Sequence, residues 1–175
     1  MIGECIPGFG EPVGRFAYEK LRQHPHDFGT GTYLRSVGPE PVSELADSLL
    51  KRYMYTGISE IEFIYDRHEK LYKVIEMNPR TWKSINFASQ CGENLIAKYM
   101  EYVTTGRVSA GAGYARGRYW VDLATDIPQS VRMMKWGGYH PDLFECTWDK
   151  SDPWPAVILW SLFPFIALEG SISSL

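Results

Sequence analysis

Cysteine is scarce in this chain and badly placed for pairing. Its 175 residues include three, Cys5, Cys91 and Cys146, far apart and odd in number. Without a Cys-x-x-Cys pair, a disulfide framework or structural zinc is disfavoured, and the pattern fits a reducing cytoplasm. Positive charge is not in surplus either. A formal net charge of -3 leaves no basic surface, so nucleic acid is not an expected partner. No charged-then-apolar leader pattern opens the chain. The longest apolar run, Trp154 to Leu168, is interrupted by Pro155 and Pro164 and is too short to span a bilayer. That run is expected to be a buried helix or an interface, and no membrane is expected as a partner. Also absent are the Gly-x-Ser-x-Gly elbow of serine hydrolases and a histidine near any cysteine to suggest a thiol nucleophile. No Gly-x-Gly-x-x-Gly follows a strand, which leaves a dinucleotide fold without support.

What is present is enough apolar material, 45%, for the core of one ordinary domain. Two β-rich runs dominate, Gly57 to Tyr65 and Leu71 to Arg80, joined by the polar segment Asp66 to Lys70. Such a pair reads as a β-hairpin. Alternation puts Glu60, Glu62 and Ile64 on one face of the first strand and Ile61, Phe63 and Tyr65 on the other. On the second strand it aligns Tyr72, Val74, Glu76 and Asn78. A turn centred near Glu69 places Glu62 directly opposite Glu76, and directly opposed like charges are destabilising. A divalent cation would offset that repulsion. Two carboxylates and an amide oxygen are hard ligands suited to Mg²⁺ or Mn²⁺, which complete their shells with water and substrate phosphates. Arg80 adds a fixed cation for a phosphate or carboxylate, and Pro79 fixes the backbone angle that aims it.

The segment Glu76-Met-Asn-Pro-Arg80, with an upstream strand ending Glu62-Phe63, resembles the metal-binding signature of the ATP-grasp superfamily. The continuation through Lys83, Ser84, Ala88, Ser89, Gly92 and Ile96-Ala97-Lys98 is similar to the ATP-grasp domains of the carbamoyl phosphate synthase large chain. Lys83 replaces the arginine of that pattern. Ser84 stands where biotin carboxylases carry a glutamate, which counts against a carboxylase. Glu60 stands where D-alanine–D-alanine ligases carry an arginine, which disfavours a dipeptide ligase of that kind. The resemblance is strong from Gly57 to about Gly106 and weaker from Val13 and through the tail. It implies an α+β fold, the C-terminal lobe of an ATP-grasp domain, with a mostly antiparallel sheet flanked by helices. Residues 1–125 would form that part, and residues 126–175 a helical C-terminal extension packed on it.

Along the chain, Val13 to Gln23 reads as a strand with Phe16, Tyr18, Lys20 and Arg22 on one face. The resemblance makes Lys20 and Arg22 candidates for nucleotide phosphate contact. His24-Pro-His26 lacks a third ligand, so metal is not expected there. Gly29-Thr-Gly31-Thr lacks the Gly-Lys-Ser/Thr ending of a phosphate loop and reads as a turn into a strand from Thr32 to Ser36, with Arg35 a weak candidate for the substrate cleft. Pro39 to Met54 is an amphipathic helix, with Val42, Leu45, Ala46, Leu49, Leu50 and Tyr53 apolar. Thr81 to Gln90 is expected as a short helix whose first amides could meet an anion. Glu93 to Thr105 is a second amphipathic helix stopped by Gly106. Arg118 to Leu123 reads as a strand, and Asp126 as the cap of a helix reaching about Trp136, closed by Gly137-Gly138. The tail aromatics are expected in the core.

The activity implied by the resemblance is carboxylate–amine (or ammonia) ligation through an acyl phosphate. ATP and Mg²⁺ or Mn²⁺ would be the cofactors, with Glu62, Glu76 and Asn78 as metal ligands. Arg80 would act on the transferred phosphoryl, and Lys20, Arg22, Arg80 and Lys83 would contact the nucleotide. The substrate and nucleotide lobes of such an enzyme are not found in these residues. The chain is therefore expected to be incomplete, inactive alone, and partnered by those lobes in the same or another chain. A homo-oligomer is compatible with the apolar tail. The alternative is a non-catalytic ATP-grasp-derived binding or dimerisation module.

Overall fold

The structure, a computed structural model, describes residues 1–6, 12–25, 29–109, 111, 113–132, 134 and 138–172. Among these residues are seven strands, mostly antiparallel, and five helices, the α+β class expected from the resemblance. The strands are β1 (Ile2–Ile6), β2 (Gly14–His24), β3 (Thr30–Val37), β4 (Gly57–Asp66), β5 (Leu71–Asn78), β6 (Tyr119–Val121) and β7 (Leu143–Glu145). The helices are α1 (Ser43–Arg52), α2 (Ile85–Gln90), α3 (Leu95–Thr105), α4 (Leu123–Arg132) and α5 (Trp154–Ile172). Two compact units result, one from Met1–Glu19 and Arg35–Arg118, the other from Lys20–Leu34 and Tyr119–Leu175. Strands β2 and β3 contribute residues to both.

In the first unit the strands run in the order β5-β4-β1-β2-β3. Register decides what each face carries. Gly3 pairs with Phe16 on one side and Glu60 on the other, and Glu60 pairs with Asn78. The next row is Ala17, Ile2, Ile61 and Met77. Successive rows point to opposite faces. The second row is the floor of the core, where Ile2, Ala17 and Ile61 meet Val42, Ala46 and Leu50 of the α1 region. Each fully buried aliphatic side chain of this kind contributes about 1.5–3 kcal/mol. The opposite face carries Phe16, Glu60 and Asn78. There Phe87 of α2 and Tyr114 cover Phe16, with ring centroids 5.1 and 4.9 Å away.

Several expectations are corrected. A β-bulge at Glu62/Phe63 pairs Phe63 with Val74 and Tyr65 with Tyr72. The extra residue shifts the alternation, so Tyr72 packs with Ile61, Phe63 and Met77 on the core side instead of sharing the face of Glu76. Helix α1 is shorter than Pro39 to Met54, and Leu45 and Tyr53, at the edges of its apolar stripe, are exposed. Helix α2 begins only at Ile85 and is six residues long, so no helix N-terminus meets an anion at Thr81. Helix α3 follows the expectation closely, capped by the Asn94 side chain accepting from the Ala97 amide at 2.9 Å and ended by Gly106 at φ 70°.

The second unit orders its strands β2-β3-β6-β7, with β6 and β7 parallel. Its core includes Leu34, Trp120 and Val121. Helix α4 starts three residues before Asp126. Asp122 sits at its head, its Oδ2 accepting from the Thr125 hydroxyl at 2.8 Å, and Asp126 lies fully buried inside the first turn. Trp136 and Gly137 lie outside the described residues. Helix α5 is not the buried helix that its composition suggested. Ala156 is buried, but Trp154 and Phe165 are each 67% exposed, and Val157, Ile158 and Leu162 are exposed as well. A mostly apolar helix that packs along one side must show apolar residues to solvent on the other. No described helix is long and apolar enough to cross a membrane.

Candidate functional site

The β4–β5 hairpin sets Glu62 directly across from Glu76, with Glu60 and Asn78 the next same-face pair along it. Glu62 is half-buried and Glu76 exposed. The Asn78 amide nitrogen donates to Glu76 Oε1 at 2.8 Å, and Arg80 Nη2 donates to Asn78 Oδ1 at 3.5 Å. After Pro79 the chain turns, with the Arg80 amide donating to the Asn78 carbonyl at 2.8 Å, and Arg80 Nη1 donates to the Thr81 carbonyl at 3.0 Å. Glu62, Glu76, Asn78 and Arg80 are thus brought together. Lys83 is exposed a few residues on. An opposed carboxylate pair beside an amide oxygen is a donor set that suits a hard divalent cation.

Behind this ladder lies a buried hydrogen-bond chain. Ser84 bonds to the Tyr18 hydroxyl, and that hydroxyl donates to Glu60 Oε1. All three residues are at least nine-tenths buried. Burial first, then the charge and hydrogen bond of Glu60, push the Tyr18 hydroxyl well above its ordinary pKa, so it remains a donor. Trp82, also buried, lies over Gly3. Alternation had put Glu60 on the Glu62 face, but nothing in the residue order linked it to Tyr18 or Ser84. That link needs the β1–β4 pairing.

The remaining sequence candidates are engaged elsewhere. In the second unit, Lys20 Nζ donates to the Gly29 carbonyl at 3.1 Å. Arg22 grips Asp126, with Nη2 2.7 Å from Oδ2 and Nε 3.0 Å from both oxygens. Its guanidinium carbon also sits 4.4 and 4.7 Å from the Tyr33 and Tyr139 ring centres. Burial alone would raise the Asp126 pKa. Hydrogen bonds from Arg22, Thr32 and Tyr139, with the Arg22 charge, more than reverse that and hold it below the usual carboxylate range. Arg35 pairs with Glu19 at 2.5 Å. His24 Nδ1 is 3.1 Å from Gln129 Oε1, and His26 lies outside the described residues.

Three further features were not visible in the sequence. A cavity of about 480 Å³ in the first unit is lined by Arg15, Glu93, Lys98, Tyr114 and Arg116 among others. Its basic groups face Asp47, Glu93 and Glu40 respectively, and no residue of the ladder lines it. In the second unit, Asp122, Glu145 and Cys146 bring ligand atoms within 4.8 Å of one another. Asp122 accepts from Thr125, however, and Glu145 from the Thr147 amide and hydroxyl at 2.7 Å. Cys91 is buried, which pushes its thiol up to about 11, against the thiolate a nucleophile needs.

Residues 37–108 match the family model described as carbamoyl-phosphate synthase L chain, ATP binding domain. The match covers less than half of the chain, and over that stretch the chain is similar to the ATP-binding domain of the carbamoyl phosphate synthase large chain. The matched stretch contains Glu62, Glu76, Asn78, Arg80 and Lys83, whereas Lys20 and Arg22 precede it. Among solved structures, the Kluyveromyces lactis urea carboxylase is similar at 17% identity and a TM-score of 0.48 over 67% of this chain. The chain spans 11% of that carboxylase. Comparison with curated protein sequences finds no match.

Proposed function

We propose that the chain supplies the C-terminal part of an ATP- and Mg²⁺-dependent carboxylate–amine (or ammonia) ligase that works through an acyl phosphate. The observation that carries this reading is the pairing of Glu62 with Glu76 across the hairpin, beside Asn78 and Arg80. Glu62, Glu76 and Asn78 would hold Mg²⁺ or Mn²⁺, which neutralises phosphate charge when bound. The Asn78 amide oxygen, which accepts from Arg80 Nη2 at 3.5 Å, is the atom that would be offered to the cation. Arg80, exposed and fork-shaped, suits the oxygens of the transferred phosphoryl group, and Lys83 adds a second cation. A substrate carboxylate oxygen attacks the γ-phosphorus and ADP leaves. The amine nitrogen then attacks the acyl carbon, phosphate leaves, and the nitrogen gives up a proton. The protein's share of this chemistry is positioning and charge. The carboxylate would be bicarbonate or an amino-acid carboxyl, and the remaining lobes would come from the same or another chain.

Calorimetric titration of the purified chain with Mn²⁺ and with MgATP tests this. Glu76→Ala is expected to weaken Mn²⁺ binding at least about 100-fold. Arg80→Ala is expected to keep Mn²⁺ binding and to weaken MgATP about 10–100-fold, the worth of a charge-assisted hydrogen bond. Mn²⁺ affinity unmoved by Glu76→Ala would remove the basis of the proposal. A second reading, a non-catalytic binding or dimerisation module, is favoured by the exposed apolar side of α5. Nucleotide binding that depends on Glu76 supports the ligase over the module.

A further inference from the structure

The buried chain behind the ladder has an unusual reach. Tyr18 stands on β2 and Glu60 on β4, and β1 runs between them. Their hydrogen bond spans that middle strand where it offers no side chain, because Glu60 pairs with Gly3. A Cβ on Gly3 would come within 2.2 Å of two atoms of the Trp82 ring. The indole therefore fills the space over the glycine, and Glu60 is left only 4% exposed. On its other side Glu60 pairs with Asn78, and along β4 it is two residues from Glu62, on the same face. A carboxylate taken out of water is costly unless its surroundings compensate it. A fold wanting only stability would place an apolar side chain here.

We infer that Glu60, held by Tyr18, is a positioning residue for the cation site of Glu62, Glu76 and Asn78. It acts through its neighbours. The Ser84–Tyr18–Glu60 chain fixes the part of β4 from which Glu62 projects and against which Asn78 is paired. It would also keep a third carboxylate on the face from which Glu62 and Asn78 would hold the cation. Tyr18 holds one of its oxygens, and Glu60 is assigned a supporting role behind Glu62, Glu76 and Asn78. This inference rests on the reading of Glu62, Glu76 and Asn78 as cation ligands.

The test is Mn²⁺ affinity of the full chain, measured by electron paramagnetic resonance at neutral pH. Wild type would be compared with Glu60→Gln, Tyr18→Phe and Glu76→Gln, alongside each protein's metal-free thermal midpoint. Glu60→Gln keeps the shape and an acceptor for Tyr18 while removing the carboxylate. It is expected to weaken Mn²⁺ about 10-fold or more, the usual effect of losing an outer partner of a ligand. Its metal-free midpoint should be equal to or above that of wild type. Tyr18→Phe keeps the carboxylate but removes the hydroxyl that donates to it, and is expected to weaken Mn²⁺ several-fold; should Glu60→Gln fail to fold, this variant decides. Wild-type affinity in both variants, with loss only in Glu76→Gln, would overturn the inference and leave the ligand reading standing. No Mn²⁺ binding by wild type would overturn both.

Discussion

Asp126 shows how much one buried charge can require of its surroundings. It is fully buried, yet its carboxyl is held below the usual range because Arg22, Thr32 and Tyr139 all donate to it. Tyr139 feels the same contact from the other side, its hydroxyl pushed up to about 12 by burial and then by Asp126. A buried pair adds little over an apolar replacement, but breaking it by removing one partner costs about 3–5 kcal/mol. Asp126→Asn is expected to lose roughly that much at pH 7, measured by urea unfolding. The sign of the pH dependence follows from the lowered value. The carboxylate's contribution is complete above its unfolded pKa of about 3.9 and is lost as pH falls through the lower folded value. The gap between wild type and Asp126→Asn should therefore be wide at pH 7 and narrow towards pH 2. An equal gap at both would mean that the ionised carboxylate is not what Arg22 stabilises. The same residues show what Arg22 holds in this fold, which the residue order does not reveal. Strand alternation put its side chain on a defined face, but its partner lies more than a hundred positions away in the chain.

At the scale of elements, the first unit depends on a glycine in the middle of β1. Gly3 leaves room for the Trp82 indole, and no L side chain can share that space without displacing the ring. Gly3→Ala is expected to cost about 1–3 kcal/mol, the range for overpacking a filled site. In a Trp82→Phe background, where the second ring is gone, the added cost should shrink, so a double-mutant cycle should show coupling of at least about 0.5 kcal/mol. Additive losses would place the strain elsewhere. This contact also marks the limit of what residue order reveals. The β4–β5 hairpin was legible because its apolar alternation, polar turn and opposed glutamates are all local. Helix α3 was legible for the same reason, with Asn94 and Gly106 marking its ends. The bulge at Glu62/Phe63 was not, since either strand alone alternates without a break. The start of α4 was missed because Asp122 and Asp126 are equally good caps in sequence, and only burial with Arg22 separates them. The exposed side of α5 was missed because composition counts apolar residues but does not say how many sides are covered.

For the whole molecule, the opposed glutamates raise a question of sign. A carboxylate pair kept for stability should destabilise the chain when one member is neutralised. A pair kept for a cation should do the reverse in metal-free buffer, because directly opposed like charges repel. Glu62→Gln and Glu76→Gln are each expected to match or exceed the metal-free thermal midpoint of wild type. Adding Mn²⁺ then separates the proteins again. A ligand that binds only the folded chain stabilises it by about 2.7 kcal/mol at 100 times its Kd. For a chain of 175 residues, where 1 kcal/mol moves the midpoint by roughly 2–4 °C, this gives a rise of roughly 5–10 °C in wild type. Neither variant should follow it. Differential scanning calorimetry with and without Mn²⁺ measures both effects. If the variants melt lower than wild type without metal, and Mn²⁺ moves all three proteins equally, the glutamates are structural and the cation binds elsewhere. If the variants hold their midpoint and only wild type rises, the repulsion between Glu62 and Glu76 is a cost the fold carries for the ion between them.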